Sequence, residues 1–121
     1  MIAASSDKGA TWQVTDLKQD AQLTTIQFLS EQTAIATGEF GLVVRSEDGG
    51  KSWKQLSAMP NEFYPYATLF INEQEGWSSG IAGQFLHTTD GGMSWSKQPN
   101  PTQAPIYRLF AHQGKPYGVG A

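Results

Sequence analysis

Ser46-Glu47-Asp48-Gly49-Gly50-Lys51-Ser52-Trp53 gathers an aspartate, two glycines, two hydroxyls and an indole into eight residues, the makings of a tight chain reversal. Asp accepts nearby backbone N–H bonds, Gly tolerates positive φ, and Ser hydroxyls bond locally. The same order returns as Ser5-Ser6-Asp7-Lys8-Gly9-Ala10-Thr11-Trp12 and Thr88-Thr89-Asp90-Gly91-Gly92-Met93-Ser94-Trp95. Five positions are shared: Ser or Thr, then Asp, Gly, Ser or Thr, and Trp. The aspartates stand 41 and then 42 residues apart, so one phase runs along the chain and marks a repeat protein.

The segments between the boxes keep that phase. Phe28, Phe70 and Phe110 are 42 and 40 apart, as are Gly38, Gly80 and Gly120. Short apolar stretches ended by Gly, Asn, Asp and Pro read as strands, and no window carries a sustained helical stripe. Four strands per repeat of this length predict a propeller blade. Named A to D from the axis outward, the second unit is expected at 24–29, 33–37, 42–46 and 53–56, and the third at 67–71, 77–79, 85–88 and 95–98. The fold class expected is therefore all-β, with four-stranded antiparallel blades and almost no helix.

Each box falls where strand C reverses into strand D. Asp7, Gly9, Trp12, Asp48, Gly50, Trp53, Asp90, Gly92 and Trp95 are read as structural. Burying an indole contributes about 1.5–3 kcal/mol by area and each Asp hydrogen bond about 1 kcal/mol, which ranks the tryptophans above the aspartates. One carboxylate per turn falls short of the oxygen set that calcium takes, so no metal site is expected.

Composition narrows the partners. Eight Lys and Arg against eleven Asp and Glu give a net charge of −3, with no basic cluster, so nucleic acid is not an expected ligand. No apolar run approaches the roughly 20 residues of a membrane span. Without cysteine the chain has neither disulfides nor thiolate ligands. No cofactor is expected. A signal peptide on a longer parent would place the protein in the periplasm or outside the cell.

The boxes resemble those of the BNR or Asp-box repeat families: sialidases, sortilin-type receptors, and above all the photosystem II stability and assembly factor-like proteins. The last resemblance runs over Thr25 to Gly38 and Gly41 to Trp53, and again over Ala67 to Gly80 and Gly83 to Trp95. It implies a seven-bladed propeller, for which 121 residues are too few. By strands the chain is expected to hold a half blade C–D at 1–14, blades at 24–56 and 66–98, and a half blade A–B at 106–120, in one partial propeller domain. Two readings of that register stand open. The chain is a piece of a longer propeller, or its complementary halves pair between two copies as a homodimer closing a six-bladed ring.

Function is expected on the rim opposite the boxes, where the B-to-C turns and D-to-A connectors lie. Glu39, Phe40, Glu62, Phe63 and Tyr64 are the candidate binding residues for a protein or other ligand, with Phe63 and Tyr66 alternatively plugging the gap between blades. Arg108 is expected on an inner strand at the position of Ile26 and Thr68, facing the axial channel. No catalytic residue is assigned, and the class expected is a non-catalytic binding scaffold. The alternative class is a sialidase-like or other glycoside hydrolase. The sialidase resemblance implies three arginines where this chain has only Arg45 and Arg108, and Glu39 with Glu62 is the one carboxylate pair placed on a shared rim. Gly50-Lys51-Ser52 lacks the leading Gly of a phosphate-binding loop, and His87 and His112 lack regular ligand spacing.

Overall fold

The computed structural model describes residues 1–17, 21–60 and 63–121. Its strands are β1 (Ile2–Ala4), β2 (Gln13–Thr15), β3 (Leu23–Phe28), β4 (Ala34–Gly38), β5 (Val43–Ser46), β6 (Lys54–Gln55), β7 (Pro65–Phe70), β8 (Gly76–Gly80), β9 (Phe85–Thr88), β10 (Ser96–Lys97), β11 (Ile106–His112) and β12 (Lys115–Gly120). Every pairing is antiparallel and between chain neighbours. Strands β3 to β6 form one four-stranded sheet and β7 to β10 another, flanked by the two-stranded pairs β1–β2 and β11–β12. Helical geometry among the described residues is limited to 3-10 turns, such as Glu39–Gly41 and Ile81–Gly83. The architecture is all-β, as the repeat predicted.

The sheets pack face to face, and the first full sheet, flanked on both sides, buries both alternating sets of side chains along β4. Ile35 and Val43 of the first full sheet meet Phe70 and Leu86 of the second, with Met59 and Phe63 from the connector between them. On the other face, Ala36, Leu42 and Val44 meet Ile2 of the β1–β2 pair. A hydroxyl chain crosses between the full sheets: Thr25 Oγ1 to Thr37 Oγ1 at 2.6 Å, Thr37 to Thr68 Oγ1 at 2.9 Å, and Thr68 to Ser78 Oγ at 3.0 Å. Beside it the Gln27 amide donates from Nε2 to the Phe70 carbonyl and accepts the Phe70 N–H at Oε1, both at 2.9 Å. That exchange reproduces with a side chain the two bonds of a strand rung.

Each inner strand carries a bulge near its start, between Leu23 and Thr25, Pro65 and Ala67, and Ile106 and Arg108. The three bulges lie in step, and the register after them corrects one expectation. Arg108 pairs with Val119 on the rung that holds Thr25–Thr37 and Ala67–Ser79, one residue away from the expected alignment with Ile26 and Thr68. A one-residue slip reverses the face. Arg108 accordingly shares an exposed sheet face with Phe110, Tyr117 and Val119, the opposite face from the one expected for it. Phe110, by the same shift, pairs with Tyr117 on the rung of Gln27 and Leu69, not that of Phe28 and Phe70.

Glycine ends each B strand for a steric reason. A Cβ on Gly38, Gly80 or Gly120 would stand 2.1, 2.4 or 2.0 Å from the carbonyl oxygen of Gln22, Tyr64 or Pro105. The connector to the inner strand therefore crosses the B strand at the same close approach in all three units.

Candidate functional site

The box hairpins are built alike. Asp48 Oδ1 accepts the Ser46 hydroxyl (2.8 Å) and the Ser52 N–H (2.9 Å), while Oδ2 accepts the Ser52 hydroxyl. Ser46 Oγ in turn accepts the Gly50 N–H at 2.8 Å. Asp7 repeats this with Ser5, Thr11 and Gly9, and Asp90 with Thr88, Ser94 and Gly92. Hydrogen bonds to the ionised form favour it. Thr11, through its hydroxyl and N–H, and the Ser5 hydroxyl hold Asp7 down from the ordinary 3.8 to about 2. Ser52 and Ser46 do the same for Asp48, to about 2, and Ser94 and Thr88 lower Asp90. Carboxylates so committed to their own turn are poorly placed to act as acids or bases at neutral pH.

The tryptophans differ from expectation. Trp53 and Trp95 are half-buried and Trp12 is 59% exposed, since among the described residues no sheet stands against the outer face of β1–β2. The Trp12 and Trp53 indoles each donate Nε1–H to the box glycine carbonyl, Gly9 or Gly50, at 3.1 Å. Their ranking above the aspartates, which assumed full burial, therefore fails at the first box.

A–B turns share the box rim, since Gly49 N–H bonds the Gln32 carbonyl (2.8 Å) and Gly91 N–H that of Gln74 (2.9 Å). An open groove of about 590 Å³ runs there between the second and third boxes, lined among others by Arg45, Glu47, Trp53, Glu73 and Met93. The Arg45 guanidinium donates to the carbonyls of Gly91 (3.2 Å) and Glu73 (3.5 Å) and pairs with Glu47 at 3.5 Å, so it staples one blade to the next.

On the other rim, Glu39 N–H bonds the Gln22 carbonyl (2.9 Å) and Ile81 N–H that of Tyr64 (3.2 Å), which sets B–C turns beside the starts of the inner strands. Glu39 Oε1 accepts the Gln22 N–H at 2.7 Å, so the carboxylate is partly spent on its own turn. Phe40 holds a positive φ of 58° at the turn tip and is 59% exposed. Of the two readings open for Phe63, the structure takes the plug and not the surface contact: at 1% exposure it seals the gap between the two full sheets. Glu62 lies outside the described residues.

Tyr64, half-buried, meets the Tyr66 ring edge-on at 6.2 Å between centroids, and Tyr66 meets Tyr107 at 5.4 Å with planes tilted 46°. Tyr66 and Tyr107 are the extra residues of their bulges, at the position of Thr24. Sequence reading placed Tyr66 in a connector and passed over Tyr107, although the 41-residue spacing between them was a usable signal. Among the described residues no three His, Asp or Glu side chains are grouped to hold a metal ion, and no helix is long and apolar enough to cross a membrane.

Stacked antiparallel sheets closed at one rim by Asp-box hairpins define a segment of a BNR-type β-propeller. Within that class the chain belongs to the family described as photosynthesis system II assembly factor YCF48, whose model matches residues 4–110. Two solved structures share the fold. One, titled "YCF48 bound to D1 peptide", superposes with a TM-score of 0.74 at 24% identity over 88% of this chain. The other, YCF48 from Cyanidioschyzon merolae, gives 0.77 at 14% identity over 91%. The chain spans 36% and 38% of their lengths. No curated protein sequence matches it significantly.

Proposed function

We propose that this chain is a non-catalytic binding segment of an assembly-factor propeller, and that it receives an extended peptide on the rim opposite the Asp boxes. One observation carries the choice of rim. The polar side chains of the box rim are consumed by their own hairpins, with Trp12 and Met93 exposed beside them, whereas the opposite rim exposes an aromatic ring, Phe40, that its turn does not need. Phe40 and Ala82 occupy equivalent turn tips at φ 58° and 60°, so the turn forms equally well without the exposed phenyl ring. Aromatic side chains on a rigid backbone are common anchors of protein interfaces. The related protein's D1 peptide supplies the ligand class to be tried.

Fluorescence anisotropy with a labelled D1 peptide tests this directly. Saturable binding that weakens with Phe40→Ala supports the reading, and no binding by the folded chain refutes it. The glycosidase alternative has less behind it, with Arg45 engaged on backbone carbonyls and Glu39 on the Gln22 N–H. Turnover of a fluorogenic sialoside or glycoside panel that disappears with Glu39→Gln would reverse that judgement.

A second reading concerns assembly within the proposed domain, taken as one partial propeller of half blade 1–14, blades 24–56 and 66–98, and half blade 106–120. Ile26 and Phe28 are exposed on one side, above the β1–β2 pair, and Phe110, Tyr117 and Val119 on the other. In a ring formed by two copies, β11–β12 of each would complete the sheet begun by β1–β2 of its partner and cover both apolar sets at once. Light scattering on the 121-residue chain decides it: twice the chain mass is expected, and a monomer at micromolar concentration overturns the pairing.

A further inference from the structure

The bulge at the start of each inner strand is required by the register, but the residue that fills it is not. In β3 the place is held by Thr24, whose hydroxyl lies 3.4 Å from both the Thr37 and the Pro65 carbonyls and so closes upon the fold itself. In β7 and β11 the same place is held by Tyr66 and Tyr107, which are 37% and 50% exposed. A small hydroxyl residue satisfies the geometry in one unit, so two large rings in the others need another explanation. Bulges re-aim side chains and recur beside binding sites.

The rings are held in place before any ligand arrives. The Tyr64 carbonyl accepts the Ile81 N–H at 3.2 Å, and the close crossing over Gly80 fixes its backbone. Tyr66 is then supported from two sides, by Tyr64 edge-on and by Tyr107 tilted at 46°, so the rings form one contiguous cluster whose outer surface stays exposed at Tyr66 and Tyr107. Among the described residues none of the three rings has an aromatic contact outside this group, and none of their hydroxyls makes a hydrogen bond within the chain. Rigid tyrosines cost little conformational entropy on binding, and inclined aromatic faces take the apolar side chains of extended peptides.

We propose that Tyr64, Tyr66 and Tyr107 form the anchor site at the channel mouth for an apolar side chain, aliphatic or proline, of an extended peptide. This inference rests on the peptide-binding reading above and adds the residues and the chemistry of the contact. Attraction of this kind acts through apolar area and ring polarisability, so the affinity is insensitive to salt, unlike docking between charges.

The test uses the 121-residue chain and the labelled D1 peptide, with melting temperature recorded for every variant. Tyr66→Ala and Tyr107→Ala are each expected to raise Kd roughly 10- to 30-fold, in the range of interface anchors, while Tyr66→Phe stays within about twofold of the parent. Raising salt from about 0.05 to 0.5 M, which shortens the screening length severalfold, should change Kd by less than about threefold. Replacing by Ser whichever apolar side chain of the peptide makes the contact, found by scanning it one position at a time, should weaken binding as much as Tyr66→Ala, without further loss when the two are combined. Normal binding by folded Tyr66→Ala and Tyr107→Ala variants would overturn the anchor while leaving the peptide-binding reading intact. Equal losses for Tyr66→Phe and Tyr66→Ala, or a steep salt dependence, would replace apolar anchoring by a hydroxyl or charge contact and overturn it as well. A chain that binds no peptide fails both proposals together.

Discussion

Removing the Gln27 amide should weaken the chain more than any other single polar change at the joint between its two full sheets. Gln27 lies on β3 and bonds both backbone groups of Phe70 on β7 at 2.9 Å. Phe70 is 2% exposed, so water has little access to whatever is left unpaired. Each hydrogen bond contributes about 1 kcal/mol net, and a buried group left without a partner costs about 1–3 kcal/mol. Gln27→Leu keeps side-chain volume but abandons both groups, for an expected loss of about 2–4 kcal/mol. For a chain of 121 residues that corresponds to roughly 8–15 °C in melting temperature. Urea titration followed by tryptophan fluorescence measures the difference, with Gln13→Ala on the exposed strand β2 as control, expected within about 0.5 kcal/mol of the parent. Should Gln27→Leu also fall within about 0.5 kcal/mol, the amide is not the rung described here and the sheets are held by apolar burial alone.

Two further outcomes follow from the boxes. Gly9 and Gly92 both hold φ near +88°, but a Cβ on Gly9 would meet only the Trp12 ring at 3.8 Å, whereas one on Gly92 would come within 2.9 Å of Ile35 Cδ1. Gly9→Ala should therefore cost about 1–2 kcal/mol of backbone strain, and Gly92→Ala a further ~1–3 kcal/mol of overpacking, read as a difference in urea midpoint; equal costs would show that Ile35 gives way freely. The lowered aspartates set an acid limit: with folded values of about 2 for Asp7 and Asp48 against an ordinary 3.8, their contribution is complete above about pH 4 and is lost as pH falls through about 2. Melting temperature across that window should fall less steeply for Asp48→Asn than for the parent, and identical slopes would show that the box bonds do not hold the carboxylate charged.

What could be read from the sequence divides by the range of the interaction. Each box is closed by bonds spanning at most four residues, from Ser46 to Gly50 and Asp48 to Ser52, so residue types in order were enough to place it. Gly38, Gly80 and Gly120 kept phase because one steric crossing recurs in every unit. Outer strands were overestimated. The expected 53–56 and 95–98 shrink to Lys54–Gln55 and Ser96–Lys97, although the Leu56 and Gln98 N–H groups still bond strand C at the Val43 and Phe85 carbonyls, so the loss is at Trp53 and Trp95, which close the box hairpin. Phe63 was left with two readings because a connector carries no periodicity to show which of its aromatics turns inward. Of the candidate site, the rim's turn tips were legible, but the tyrosine cluster was not, because it needs two bulges and a contact across 41 residues.

The bulge also separates what the repeat must keep from what it can vary. Up to Leu23, Pro65 and Ile106 the three inner strands superpose on Gly38, Gly80 and Gly120, and beyond Thr25, Ala67 and Arg108 they superpose again. The single residue between those two constraints is outside the ladder, so its side chain can change size without disturbing a rung. Thr24 uses that freedom to bond its neighbour's carbonyl, while Tyr66 and Tyr107 use it to build a surface. Arg108 shows the cost of overlooking it: counted by period, it faces the axis, but counted from the rung it shares with Val119, it joins an open sheet face beside Phe110. In a repeat whose turns and cores are fixed by local bonds and packing, an unpaired position at the channel mouth is where recognition can be introduced with the least penalty to folding.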